Sequence, residues 1–336
     1  MAEPVGVALI GVGMWGKRLA AAVRRTPSLQ LVTIYRRDAA QREAFSAEFG
    51  CESADSFEAA IDHPKVQAVL LVTPNHLHKS GTLDCAERGK HVFVEKPIAD
   101  TLDDGRDMRL ACQKAGVTLF VGHCFRRLGA ARKVKQLLQE EALGRVILAE
   151  ANFSLPGRLT PDKWRYYRQT CPAGPLLQLG IHHADTLQYW LGPVQHVQGS
   201  FARLSTPAEI DDVGLALLEF KGGTRAALSS SYVSPHTFYL RLYGTKGNLD
   251  YQTDMSIWPN AERMDAATRL TLQSKSSRQS IPFDNKDMLV EELDEFARCV
   301  RGETTPETGP DEGLAALQVI LATLAAHESG QVYTLV

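Results

Sequence analysis

Up to about residue 123 the chain alternates short apolar runs with stretches of helical period. The apolar runs fall at residues 5–10, 31–35, 68–72, 91–94 and 118–121. Strands separated by helices in this way predict βαβ units and a parallel sheet. Beyond residue 125 the pattern changes. A helix is predicted over about 126–139, an extended run over 145–155, and a second helix over about 176–191. Four β-like runs follow at 194–204, 213–220, 224–232 and 238–243, with Gly222-Gly223 as a hairpin turn between two of them. Consecutive strands with short turns predict a second domain on an open, mainly antiparallel sheet. Two closing helices are expected at about 286–301 and 311–329, the latter with Pro310 near its start and Gly330 after its end. Residues 260–281 are polar and read as irregular. The expected division is 1–123 and 124–336, with the closing helices able to pack back on the first domain.

The first strand runs into Gly11-Val12-Gly13-Met14-Trp15-Gly16, and a helical stretch follows. A G-x-G-x-x-G segment between strand and helix is the context that a dinucleotide-binding Rossmann domain requires. The first glycine permits the turn, the second lets a pyrophosphate approach the backbone, and the third lets helix and strand pack closely. Free N–H groups at the helix start then face the phosphates. Met14 and Trp15 fill the variable positions. The second strand ends in Arg36-Arg37, where an NAD enzyme usually places a carboxylate on the ribose. Two guanidiniums there suit a 2′-phosphate, so NADP(H) is the expected cofactor and NAD the alternative. The competing reading has both arginines in solvent and Asp38 as the ribose ligand.

Composition narrows the classes. A chain of 336 residues, 44% of them apolar, suits two globular domains. Its 37 basic and 39 acidic residues form no long runs, and the net charge is −2, which argues against a nucleic-acid footprint or a polybasic membrane patch. Small-molecule partners fit better. The six cysteines, at 51, 85, 112, 124, 171 and 299, form no C-x-x-C pair or metal-ligand spacing, as expected of reduced thiols. No apolar run reaches the roughly 18 residues that cross a bilayer, and no export leader precedes the first strand. A soluble cytoplasmic protein is expected.

Each unusual motif of the first half follows a strand: the glycine turn, Arg36-Arg37, Thr73-Pro74-Asn75-His76, Glu95-Lys96-Pro97 and Gly122-His123-Cys124-Phe125-Arg126. In open α/β sheets, ligands bind outside the carboxyl ends of the strands, so these segments are expected to line one site. Together with His78, Trp164-Arg165 and the run from Leu176 through Gln178, His182 and His183 to Asp185, they resemble the Gfo/Idh/MocA superfamily of glucose-fructose oxidoreductases and inositol dehydrogenases. The resemblance covers nearly the whole chain. It implies NAD(P)-dependent oxidation or reduction of a sugar, cyclitol or related polyol, and a homodimer or homotetramer formed through the second domain's sheet.

Hydride transfer at a carbinol carbon needs the two reacting carbons held close and a group that moves the hydroxyl proton. Lys96, between Glu95 and Pro97 at a strand end, is placed to bond the substrate oxygen and the nicotinamide ribose, and its cation would stabilise a developing alkoxide. The matching family lysine does this. His182 is the candidate general acid/base, because imidazole titrates near neutral pH. Where many family members carry a carboxylate four residues earlier, this chain has Gln178, which accepts no proton but can bond a substrate hydroxyl. Asp185 stands at i+3 from His182, either fixing its tautomer or solvated. His183 reads as a packed histidine, and a metal shared by His182, His183 and Asp185 is disfavoured because neighbouring helix positions diverge.

Thr73, Pro74 and Asn75 are expected to border the nicotinamide, with His78 counted beside them although a structural role suits it better. Arg126, Trp164 and Arg165 are expected to form a substrate wall, the aromatic face against a sugar ring and the guanidiniums on hydroxyls or a carboxylate, the competing reading having Arg165 and Arg168 in solvent. His123 is either a substrate contact or a satisfied core histidine. Two other functions compete: an enzyme that retains its nicotinamide and uses transient oxidation for elimination, hydrolysis or isomerisation, and a non-catalytic nucleotide-binding regulator.

Overall fold

The computed structural model describes residues 3–157 and 159–335. It divides into two units, one comprising the chain up to His123 with Leu289–Leu314, the other Cys124–Met288 with the chain from Ala315 onward. In the first, β1 (Val5–Ile10), α1 (Met14–Val23), β2 (Leu29–Tyr35), α2 (Ala39–Phe49), β3 (Glu52–Ser53), α3 (Phe57–Ile61), β4 (Ala68–Leu71), α4 (His78–Glu87), β5 (His91–Glu95), α5 (Leu102–Ala115) and β6 (Leu119–Gly122) alternate. The strands form one parallel sheet in the order β3-β2-β1-β4-β5-β6. All residues of β1, β4 and β6 are buried, because helices cover both faces, which is why these strands read as unbroken apolar runs.

Local signals fix the ends of the helices. The Thr101 hydroxyl accepts from the Asp104 amide to cap α5, Asp103 and Asp104 complement its positive end, and Gly116 closes it at φ 68°. Phe93 of β5 and Phe120 of β6 pack on Phe296 of the helix Met288–Val300, each with its ring centroid 5.7 Å from that of Phe296. The free edge of β6 is occupied by Thr308. Its carbonyl accepts from the Val121 amide at 2.8 Å, and its hydroxyl donates to the Val121 carbonyl at 2.8 Å.

The second unit holds α6 (Gly129–Gln139), β7 (Val146–Ser154), a π-helical turn (Leu176–Gly180), α7 (Ile181–Leu191), β8 (Val194–Ala202), β9 (Val213–Phe220), β10 (Arg225–Ser231), β11 (Thr237–Gly244), β12 (Gly247–Thr253), β13 (Thr268–Ser274), β14 (Arg278–Ser280) and β15 (Tyr333–Thr334). They form a sheet in the order β14-β13-β12-β11-β7-β10-β9-β8-β15, antiparallel except where β10 runs parallel to β7. One face buries Phe153, Leu218, Leu240 and Leu249, while the other leaves Leu148, Leu215 and Leu217 exposed.

Three expectations need correction. The first helix of this unit begins at Gly129 rather than Arg126, because residues 124–127 form a 3₁₀ turn and the Asp265 carboxylate accepts from the Gly129 and Ala130 amides at 2.6 and 3.2 Å. The helix expected over 176–191 opens with a π-helical turn. Residues 260–281 include β13 and β14 rather than being irregular throughout, since polar side chains on the solvent face hide the strand alternation. Among the described residues, no helix is long and apolar enough to cross a membrane.

Candidate active site

The strand order of the first unit reverses between β1 and β4, which places the switch point where Gly11 and Thr73 emerge. Gly11 has φ 96°, and a Cβ there would stand 2.4 Å from the Val72 carbonyl oxygen. Gly16 has its own constraint, since a Cβ would meet the Gly11 carbonyl oxygen at 2.1 Å. Gly13 differs from both. It is the exposed N-cap of α1, no side chain caps the helix, and a Cβ would find nothing within 4 Å. Helix amides facing open space beside a residue without a side chain fit the pyrophosphate of a dinucleotide. Met14 beside it is 69% exposed.

At the end of β2, the Arg42 guanidinium is held by Ser53 at 3.0 Å and Asp55 at 2.7 Å and donates to the Arg36 carbonyl at 3.2 Å, fixing the backbone that presents Arg36. Arg36 is half-buried and Arg37 exposed. Asp38 caps α2: its carboxylate accepts from the Gln41 amide at 2.9 Å and from the Gln41 side chain at 3.0 Å. That engagement weighs against Asp38 as the ribose ligand.

Glu95, Lys96 and Pro97 follow β5, with a cis peptide between Lys96 and Pro97. The Glu95 carboxylate is buried and accepts from the Trp15 indole of the glycine turn and from the Lys96 amide. Burial pushes this carboxyl up to about 7, opposed by the Lys96 cation and the Trp15 bond. Gly122, its partner across β6, leaves the room it needs, because a Cβ there would lie 3.2 Å from Glu95 Oε1. The Arg18 guanidinium lies over the Trp15 ring, 5.1 Å from its centroid.

His78 is a strut. It is 1% exposed, its ring nitrogens stand 3.0 Å from the carbonyls of Pro97 and Thr73, and burial holds its pKa down to about 4. Both ring nitrogens are directed at the backbone of the Thr73 and Lys96-Pro97 turns, as the structural role implies. Asn75 is buried beside Asp100, whose carboxyl burial raises and Asn75 opposes. His123 is wholly buried, which favours the core reading over direct substrate contact.

In the second unit, Ala173 and Gly174 take φ of 56° and 45°, a left-handed pair that leads through Pro175 into the π-helical turn. Left-handed alanine is uncommon, and π-helical turns collect at functional sites. Gln178 lies in this turn, buried, and its Oε1 accepts from Arg165 Nε at 3.3 Å. Arg165 in turn lies 4.4 Å from the Trp164 ring centroid. His182, in the first turn of α7, stacks on Phe125 with centroids 4.0 Å apart and planes 17° apart. His183 is a core histidine: Nε2 meets the Asn152 carbonyl at 3.1 Å, and burial holds the ring down to about 3.

Arg126 is not at an open wall. Its Nε and Nη2 donate to the two oxygens of Asp185 at 2.8 and 2.7 Å, and its guanidinium lies 5.0 Å from the Tyr189 ring centroid. Both residues are buried, so the solvated reading of Asp185 is corrected, and Arg126 meets a carboxylate of its own chain. Phe125, which stacks on His182, and Tyr189, which stacks on Arg126, are neighbours of the candidate residues that sequence reasoning did not single out. Phe125 stood within a recognised motif, whereas the spacing of Tyr189 carries no signal.

Comparison with known proteins gives the family. The model of the oxidoreductase family with an NAD-binding Rossmann fold matches residues 5–123, and that of the GFO/IDH/MocA C-terminal domain matches residues 131–250. The chain belongs to the Gfo/Idh/MocA family. This Gfo/Idh/MocA protein is 28% identical over 329 residues to a 1,5-anhydro-D-fructose reductase of Ensifer adhaerens, covering 96% of each chain. It is also 28% identical to a D-xylose 1-dehydrogenase (NADP(+)) of Haloferax volcanii, over 97% of each chain. A solved oxidoreductase from Desulfitobacterium hafniense superposes with a TM-score of 0.95 at 35% identity, covering 99% of this chain and 98% of the other. The Gfo/Idh/MocA chain is an NAD(P)-dependent dehydrogenase or reductase.

Proposed function

We propose that the protein is an NADP(H)-preferring oxidoreductase that moves a hydride between nicotinamide and a hydroxyl-bearing carbon of a sugar, cyclitol or related polyol. The observation that carries the cofactor preference is the capping of α2 by Asp38, which engages the nearest carboxylate while Arg42 fixes the backbone of Arg36. The reductase and dehydrogenase named above, both acting on sugars, support the substrate class.

The nicotinamide, when bound, supplies the hydride chemistry. Gly11, Gly13 and Gly16 would hold the pyrophosphate against α1, Met14 and Trp15 would flank it, and Arg36 and Arg37 would bind the 2′-phosphate. Thr73, Pro74 and Asn75 would border the nicotinamide ribose. Lys96 stabilises negative charge on the substrate oxygen, and Glu95, bonded to its amide, fixes the turn that carries it. His182 exchanges the hydroxyl proton, its ring plane set by the stack on Phe125. Gln178, Trp164 and Arg165 orient the substrate. A homodimer or homotetramer belongs to the same reading, with Leu148, Leu215 and Leu217 on the outer sheet face as its apolar surface.

The test is binding of NADP⁺ and NAD⁺ to wild type and Arg36→Ala at matched ionic strength, followed by a polyol screen with the tighter cofactor. A preference for NADP⁺ that collapses in the variant supports the reading. Equal binding in wild type, or a preference for NAD⁺, overturns the specificity argument. Product formed without net change in NAD(P)H identifies an enzyme that recycles its nicotinamide.

A further inference from the structure

Arg165 stands apart from its basic neighbours. Lys163 is paired with Asp162 at 2.6 Å, and Arg168 with Glu328 at 2.8 Å. Arg165 Nε donates to the neutral amide of Gln178, and no carboxylate among the described residues pairs with its guanidinium. One face of that guanidinium lies against the Trp164 ring. The buried Tyr232 phenol feels the charge of Arg165, and burial raises that phenol, so it brings no negative charge at neutral pH. The result is an exposed, oriented cation, fixed by a bond at Nε and by stacking on the indole.

A planar guanidinium anchored in this way matches a carboxylate, which two parallel N–H groups can grip at once. The indole beside it offers an apolar surface to the face of a sugar ring. We propose that the substrate is an anionic sugar, a uronic acid or another carboxylate-bearing sugar, whose carboxylate is received by Arg165. The inference rests on the oxidoreductase reading above and adds the charge of the substrate to it. Gln178 is central, because a glutamate in its place would pair with Arg165 and cancel the charge that the ligand needs. The neutral amide positions the guanidinium and leaves its charge intact.

The test is calorimetric binding of D-glucuronate against D-glucose, and of D-galacturonate against D-galactose, to the full chain with NADP⁺ present. Wild type, Arg165→Gln and Gln178→Glu are compared. Each uronate is expected to bind at least about tenfold more tightly than its neutral partner, the scale of one charge-assisted hydrogen bond. That advantage should shrink with added salt and disappear in both variants. Equal binding of the two members of each pair, an advantage that survives Arg165→Gln, or no binding of either uronate overturns the proposal. Hydride transfer is scored separately on the same samples. Selective uronate binding without net turnover would therefore uphold the anion site while counting against the oxidoreductase reading.

Discussion

The Trp15 indole donates to the Glu95 carboxylate, tying the glycine turn after β1 to the lysine turn after β5. A carboxyl raised from its ordinary 4.5 to about 7 favours the folded state most while protonated, and this contribution is lost as pH rises through the folded value. Glu95→Gln stays neutral and still accepts from the indole. It is expected to gain on wild type by about 2–3 kcal/mol as pH rises from 4.5 to 7. Chemical denaturation on either side of that window measures the gain, and a stability difference that does not change with pH would refute the assignment.

Removal of the indole donor acts in the opposite direction. Trp15→Phe leaves the buried carboxylate short of a bond, so its loss of stability at higher pH should be steeper than that of wild type. Thermal melts across the same window show whether it is.

The glycines separate folding from binding. Gly13→Ala adds a methyl group to open space and should keep stability within about 0.5 kcal/mol, while dinucleotide affinity falls about tenfold or more. Gly16→Ala instead drives a methyl group into the Gly11 carbonyl and should cost about 1–3 kcal/mol. Equal loss of stability in the two variants would contradict this division.

The Arg126–Asp185 pair is buried and bidentate, so loss of one partner leaves the other charge without compensation. Arg126→Met is expected to destabilise by about 3–5 kcal/mol, and adding Asp185→Leu should recover most of the loss. A double-mutant cycle by urea denaturation tests this. Additive losses would mean that the two charges are compensated elsewhere.

Leu217 is 58% exposed and shares the outer face with Leu148 and Leu215. If this face joins copies of the chain, Leu217→Glu should shift the mass found by light scattering towards the monomer without lowering the melting temperature of the subunit fold. A wild-type monomer would remove the oligomer from the proposed function.

Much of the first unit was legible because strands buried on both faces leave unbroken apolar runs, and because each motif sits at a strand end. The second unit was harder to read. In β12 the buried Leu249, Tyr251 and Thr253 alternate with Asn248, Asp250 and Gln252, a pattern short enough to be lost among polar neighbours. All three residues of β14 are exposed, so their composition carried no strand signal. Asp185 was read against His182, three residues before it, whereas its partner is 59 positions away and no local spacing could reveal that. The π-helical turn at Gln178 has the sequence of an ordinary helix, and it follows a left-handed pair that no residue pattern announced.

Thr308 seals β6 from a point in the chain far beyond the other strands of that sheet. During synthesis the nucleotide-binding half must therefore wait, with one strand edge unpaired, while the entire second sheet up to β14 is made. An unpaired edge is a template for pairing with other chains. A chain halted before Thr308 is consequently an aggregation hazard, and the first half is complete only after the helix Met288–Val300 and the segment following it have left the ribosome.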